Sequence, residues 1–182
     1  GDRGEARSYA RTMRGIGTPR DETVREMSYV ELQTIGDANH HHGKPRYANG
    51  HYLTELGDPA IEAFLSRGAG DAADWSRVAY GGFQAYGGAI IEIPSEVSAL
   101  RHRDALVEFF GGQSWTDPAE DTERMESARA YGAAIAPFAS GVYVNVLSDE
   151  GAEGVLRAYG DTKLLRLAEL KRRYDPDNVF HL

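Results

Sequence analysis

Short runs with β character alternate irregularly with helical stretches in this chain, unlike the regular strand–helix–strand repeat that builds a parallel sheet. Ala89-Ile90-Ile91-Glu92-Ile93 reads as a strand stopped by Pro94. Ala105 to Phe110 reads as a second, with Gly111-Gly112 behind it as a bend or bulge, and Gly141 to Leu147 as a third. This pattern predicts an α+β fold, an antiparallel β-sheet covered by helices on one face. At 182 residues the chain can bury about 70% of its unfolded surface, so its core needs no metal or disulfide. With no cysteine it has no disulfide scaffold, thiolate zinc site or cysteine nucleophile. Twenty basic against 28 acidic residues give a net charge of −8, a poor electrostatic match for nucleic acid or anionic lipid. No apolar run approaches the roughly 20 residues of a membrane span, and no signal peptide is evident. Neither a nucleic-acid nor a membrane partner is expected; a soluble protein, cytoplasmic or secreted, fits the composition.

Along the chain, Gly4 to Met13 suits a short helix, ended by Gly15-Ile16-Gly17-Thr18-Pro19. Met27 to Gln33 reads as the start of another, and Gly36 to Gly50 as a polar loop carrying His40, His41 and His42. Asp58 is a suitable N-cap with Pro59 at the first helical position, followed by an apolar stripe of Ile61, Phe64 and Leu65. Arg67 to Asp74 reads as a mobile surface loop. Asp117-Pro118 opens a helix reaching Ile135, with acidic residues where the macrodipole favours them. A last helix, capped by Asp161, has Leu164, Leu167, Ala168 and Leu170 on its apolar side, carries Lys171, Arg172 and Arg173 at its end, and stops at Asp175-Pro176. The expected organisation is a lead-in over 1–16, an α+β domain over 17–140 and a C-terminal segment over 141–182.

Chemistry is expected first on the third strand. Alternation would set Val142, Val144 and Val146 on a face beneath helices and Tyr143, Asn145 and Leu147 on the other, a phenol and an amide facing a binding surface or simply solvent. Arg101-His102-Arg103-Asp104, before a strand, could hold an anionic group or be a solvated turn, which makes His102 and Arg103 candidate substrate ligands. Glu108 and Glu92 lie in apolar strands; each is a candidate base if turned inward and an ordinary exposed residue if not. The three consecutive histidines cannot converge on one centre, so no metal site is expected. Gly87-Gly88 is not a phosphate loop, because no helix with Lys-Ser/Thr follows.

Tyr143-Val144-Asn145, Ala158-Tyr159-Gly160 and Arg166-Leu167-Ala168-Glu169-Leu170-Lys171-Arg172-Arg173-Tyr174-Asp175-Pro176-Asp177-Asn178-Val179-Phe180 stand in the order and spacing of a Y-x-N, Y-G, R-L-x-x-x-K-x-x-Y-D-P-x-N-x-F signature. This stretch resembles the C-terminal segment of the berberine-bridge-enzyme-like family, FAD-linked oxidoreductases of the vanillyl-alcohol-oxidase type. Tyr29-Val30-Glu31-Leu32-Gln33, Gly87-Gly88-Ala89, His102-Arg103-Asp104 and Trp115-Thr116-Asp117-Pro118 are similar to family stretches upstream. The resemblance implies FAD as cofactor, bound mostly by an N-terminal lobe of the same or a companion chain, so that this chain alone would bind it weakly and be inactive. It implies the substrate-binding part of an enzyme that oxidises a hydroxyl or amine of a sugar, alkaloid or secondary metabolite. Tyr143 would take or orient the substrate proton while hydride passes to the flavin, and Asn145 would bond the flavin or hold the strand. Some members place a carboxylate or amide on the central strand as base, which makes Glu108 and Gln113 both candidates; Phe110 in that register would leave no base there. The alternative is a non-catalytic binding or structural lobe that keeps the fold without flavin.

Overall fold

A computed structural model describes residues 2–18, 24–37, 43–68 and 77–181. Two compact units divide it, Gly1–Gly43 and Lys44–Leu182. In the first, helix α1 (Arg3–Arg14) starts at Asp2, whose carboxylate accepts from the Glu5 amide at 2.8 Å. Helix α2 (Tyr29–Thr34) opens with a reciprocal capping box between Ser28 and Glu31. Neither helix buries a residue. The histidine triplet lies outside the described residues, as does most of the loop expected at Arg67 to Asp74.

The second unit is built on a four-stranded antiparallel sheet of β1 (Arg46–Leu53), β2 (Tyr80–Ala85), β3 (Val107–Ser114) and β4 (Gly141–Val142), in the order β2-β3-β1-β4. Helices α3 (Asp58–Leu65) and α5 (Asp121–Ile135) cover one face, as the composition of elements led one to expect. Register places His51 opposite Phe109 and Phe109 opposite Phe83, so the odd-numbered residues of these three strands face the helices. There Leu53, Val107 and Phe109 pack with Ala60 of α3 and with Tyr131 and Ile135 of α5. Phe109 is fully enclosed and meets Tyr131 edge-on at 5.2 Å. Each large buried side chain of this kind contributes roughly 1.5–3 kcal/mol.

Several elements differ from the sequence expectation, each for a local reason. Residues 46–50, expected in a loop, form the start of the central strand β1; Asn49 and His51 are buried because their polar atoms reach α5 carbonyls, Ala128 at 2.9 Å and Gly132 at 3.1 Å. Strand β2 was hidden by its two glycines. Ala89–Glu92 is not a strand but a one-turn helix, α4, entered through Gly88 at φ 53° and held by Glu92 N–H to Gly88 O at 3.2 Å. Gly111 and Gly112 continue β3 instead of bending it: a Cβ on Gly111 would meet the Phe109 and Tyr131 rings, and one on Gly112 the Tyr47 carbonyl and the Ala48 backbone. Asp58 is the first residue of α3 and Gly57 its cap. The expected strand Gly141–Leu147 stops after Val142 and turns into a 3-10 turn at Val144–Val146, so only Val142 of the three valines is buried. Helix α6 (Gly151–Tyr174) begins ten residues before Asp161 and breaks at Gly160, whose φ of 69° and ψ of 164° are not helical.

Candidate active site

The even-numbered residues of β1, β2 and β3 face away from α3 and α5 and form the open side of the sheet. Tyr52 of β1 and Gln84 of β2 flank Glu108 of β3 in register. Glu108 is the one buried acidic residue among those described. Its Oε2 accepts from the Tyr86 hydroxyl at 2.6 Å. Tyr86 follows β2 directly and extends the ladder by one rung, its amide donating to the Leu106 carbonyl at 2.9 Å. Burial, then the bond to Glu108, pushes the Tyr86 phenol far above its ordinary range, so Tyr86 stays a proton donor. The Tyr52 ring meets Tyr86 edge-on at 5.6 Å and Tyr143 edge-on at 6.0 Å, with His102 stacked on it at 5.1 Å. Burial raises the Tyr52 phenol as well; its enclosed hydroxyl lies close to Tyr86 but makes no hydrogen bond of good geometry.

Tyr143 and Asn145 come together through the 3-10 turn rather than through strand alternation. Asn145 Nδ2 donates to Tyr143 Oη at 2.7 Å. The turn can sit this close because β1 has no side chain beneath it: a Cβ on Gly50 would run into Val146 and come within 3.2 Å of the Tyr143 Cβ. The Tyr143 amide donates to the Gly50 carbonyl at 3.2 Å.

The remaining candidates separate from this cluster. Gln113 points to the opposite, helix-covered face, where its amide donates to Arg77 O at 2.9 Å and Ser127 Oγ at 2.8 Å and accepts from Arg124 at 3.1 Å; it is a core polar residue, not a second base beside Glu108. Phe110 shares the open face with Glu108, two residues along. Arg103 is spent on its own loop, donating to Ile90 O and Ser98 Oγ, each at 2.8 Å. Glu92 is exposed on α4, not inward on a strand. His102 is buried, with Nε2 3.2 Å from the Arg157 carbonyl, and contributes its ring to Tyr52 rather than a charge to a ligand. Tyr52 and Tyr86 escaped the sequence reading because both strands that present them did; the two-residue spacing of Ala48, Gly50 and Tyr52 was the available signal.

Glycines on the open face show what shape of group it suits. A Cβ on Gly82 would strike the Phe110 ring at 2.7 Å, and one on Gly112 would lie 3.0 Å from the Tyr80 hydroxyl. Aromatic side chains thus lie low across this side, and Phe110 and Tyr80 remain 42% and 44% exposed. Such a surface is flat and aromatic. No described segment offers the Gly-rich turn and helix start that cradle a dinucleotide phosphate.

The chain is similar to known proteins over most of its length. Residues 142–182 match the family described as Berberine and berberine like. The chain is 26% identical over 172 residues to the uncharacterized FAD-linked oxidoreductase YvdP of Bacillus subtilis (strain 168), covering 90% of this chain and 37% of that protein. It is 26% identical over 155 residues to the aclacinomycin-N/aclacinomycin-A oxidase of Streptomyces galilaeus, covering 73% and 27%. Among solved structures, Physcomitrella patens BBE-like 1 superimposes with a TM-score of 0.78 at 20% identity, over all of this chain and 42% of that one. A chitooligosaccharide oxidase does so with a TM-score of 0.78 at 17% identity, over all of this chain and 43% of that one. The chain therefore has the fold found in berberine-bridge-like oxidases, and it resembles the FAD-linked oxidoreductases of that family in sequence. It spans 27–37% of the length of these two curated relatives.

Proposed function

We propose that this chain is the substrate-facing part of an FAD-dependent oxidoreductase that oxidises a hydroxyl or amine of a sugar, alkaloid or other secondary metabolite. The observation that carries this reading is a buried carboxylate, Glu108, on the uncovered side of the sheet, bonded to Tyr86 and flanked by Tyr52, on whose ring Tyr143, bonded to Asn145, packs. The flavin, when bound, supplies the acceptor for the hydride. Tyr143 and Asn145 would meet it and the substrate from this side, while the rest of the protein holds its nucleotide end.

Glu108 takes the proton that leaves the substrate hydroxyl. A carboxylate ordinarily ionises near 4 and a phenol near 10, so at neutral pH the carboxylate is the form ready to accept. Tyr143, with its oxygen already bonded to Asn145, orients the substrate oxygen toward that carboxylate. The buried Tyr52 ring shields the carboxylate on the β1 side, and the low aromatic surface of Phe110 and Tyr80 gives a flat substrate something to lie on.

Single-turnover flavin reduction in the flavin-loaded protein tests the assignment. Glu108→Gln is expected to slow it by about 10²–10⁴-fold, the usual cost of losing a general base. An unchanged rate removes Glu108 from the reaction. If Tyr143→Phe alone produces the loss, Tyr143 is the base. A preparation without the oxidised-flavin absorption band supports the reading of a non-catalytic lobe instead.

A further inference from the structure

We propose that Tyr86 is a positioning residue for Glu108: it occupies one carboxylate oxygen with a fixed hydrogen bond and leaves Oε1 as the oxygen that meets the substrate proton. The inference rests on the role of Glu108 given above and adds a residue that lies outside the berberine-like signature. Three observations support it. The bond is short, 2.6 Å from Tyr86 Oη to Oε2, and Oε1 makes no bond to any described residue. The phenol cannot drift, because its backbone is tied into the ladder through Leu106 and its ring is wedged against the fully buried Tyr52. Among the described residues no cation pairs with Glu108, and the Tyr86 hydroxyl is its hydrogen-bond donor.

Among the described residues, the other titratable groups near the carboxylate gather around Tyr52. Tyr52 itself is its neighbour on β1, and Tyr143 and His102 pack on the Tyr52 ring from the 3-10 turn and from the segment before β3. Removing the Tyr86 hydroxyl therefore leaves a buried carboxylate with no donor, and the neutral acid becomes favoured over a wider pH range. Loss of packing alone would not do this, since phenylalanine keeps the ring.

The test follows the protonated-carboxyl infrared band of Glu108 against pH in the flavin-loaded protein that carries this chain. The band is assigned by its disappearance in Glu108→Gln. In Tyr86→Phe it is expected to persist about one pH unit or more higher than in the wild type, with the acid limb of kcat moving the same way. kcat at neutral pH should fall about tenfold, and KM should stay within about twofold. Should Tyr86→Phe fail to fold, 3-fluorotyrosine at position 86 keeps the shape with a more acidic donor, and the band should move to lower pH. A band that titrates identically in the wild type and the folded variant overturns the proposal. If instead Glu108→Gln leaves flavin reduction unchanged, the catalytic role of Glu108 fails, while the titration still decides whether Tyr86 governs that carboxylate.

Discussion

Tyr143 is held from three sides: its amide by Gly50, its hydroxyl by Asn145 and its ring by Tyr52. Substituting Asn145→Ala removes the donor to the phenol oxygen without touching the ring contacts. The expected outcome is flavin reduction slowed about tenfold with a melting temperature close to that of the wild type, since exposed Asn145 contributes little packing. A rate unchanged by this substitution would separate the asparagine from the chemistry. Gln113 shows the opposite case. Its three partners, Arg77, Ser127 and Arg124, belong to the helix-covered side, so Gln113→Ala should cost about 1–3 kcal/mol of stability in chemical denaturation, because Arg124 loses a buried acceptor.

The 3-10 turn at Val144–Val146 depends on β1 beneath it. Gly50→Ala would force Val146 and Tyr143 upward, an overpacking that typically costs about 1–3 kcal/mol. Both the melting temperature and the rate of flavin reduction should fall in this variant, whereas Ala48→Gly, one rung away on the same face, should lower stability alone. The elements that could be read from the sequence were those with long periodic runs or strong caps: α1, α3 with its Pro59 start, α5 with its Pro118 start, and the part of α6 that follows Gly160. Strands β1 and β2 were illegible because their residues are glycine, asparagine, histidine and tyrosine, which satisfy a strand only once α5 supplies acceptors and neighbouring rings fill the space above the glycines. The same tertiary dependence ended β4 early. Its valines have strand propensity throughout, but the vacant space at Gly50 lets the chain turn down onto the sheet. Glu108, Tyr143 and Asn145 were therefore visible as candidates, while Tyr52 and Tyr86, which give Glu108 its environment, were not. The D-P-x-N-x-F stretch has a plain structural cause: Asp175 accepts from the Val179 and Phe180 amides, at 2.7 and 3.0 Å, and Asn178 takes the left-handed conformation at φ 52° that the turn requires.

For the molecule as a whole, acid sensitivity should begin with a histidine. Burial, with a contribution from Arg157, lowers His51 from its ordinary 6.5 to about 4. Its Nε2 lies against the Gly132 carbonyl while Nδ1 is enclosed without a partner, so a second proton has nowhere to go. Above pH 6.5 the ring is neutral in both folded and unfolded chains. Between pH 6.5 and 4 the unfolded chain binds the proton and the folded one does not, so stability is lost as pH falls, by about 3 kcal/mol at most. His102, lowered chiefly by burial, acts in the same direction. The carboxylates lowered by partners, Asp149 by Tyr47 and Arg129 and Asp175 by Lys171, act only below about pH 4. Urea denaturation at pH 7 and pH 5 should show a smaller difference in His51→Phe, which keeps the stack on Phe109, than in the wild type. Cofactor affinity belongs to the same scale. The 182-residue chain titrated with FAD should show no saturation at micromolar concentrations, because no described segment cradles a dinucleotide phosphate; sub-micromolar binding would contradict this.

The break in α6 ties together two places 59 positions apart in the sequence. Arg101 rests its guanidinium where a side chain on Gly160 would be, within 2.8 Å at the guanidinium carbon. Gly160 also needs its positive φ, so drift at position 160 is blocked twice, by backbone conformation and by an occupied volume. Drift at Arg101 toward a short residue removes only the second obstacle. Among descendants of one ancestral gene, position 160 should therefore stay glycine even on lineages where 101 has become small, because φ 69° with ψ 164° is a conformation essentially only glycine adopts. A gene tree should record Arg101 lost while Gly160 is kept, and not the reverse.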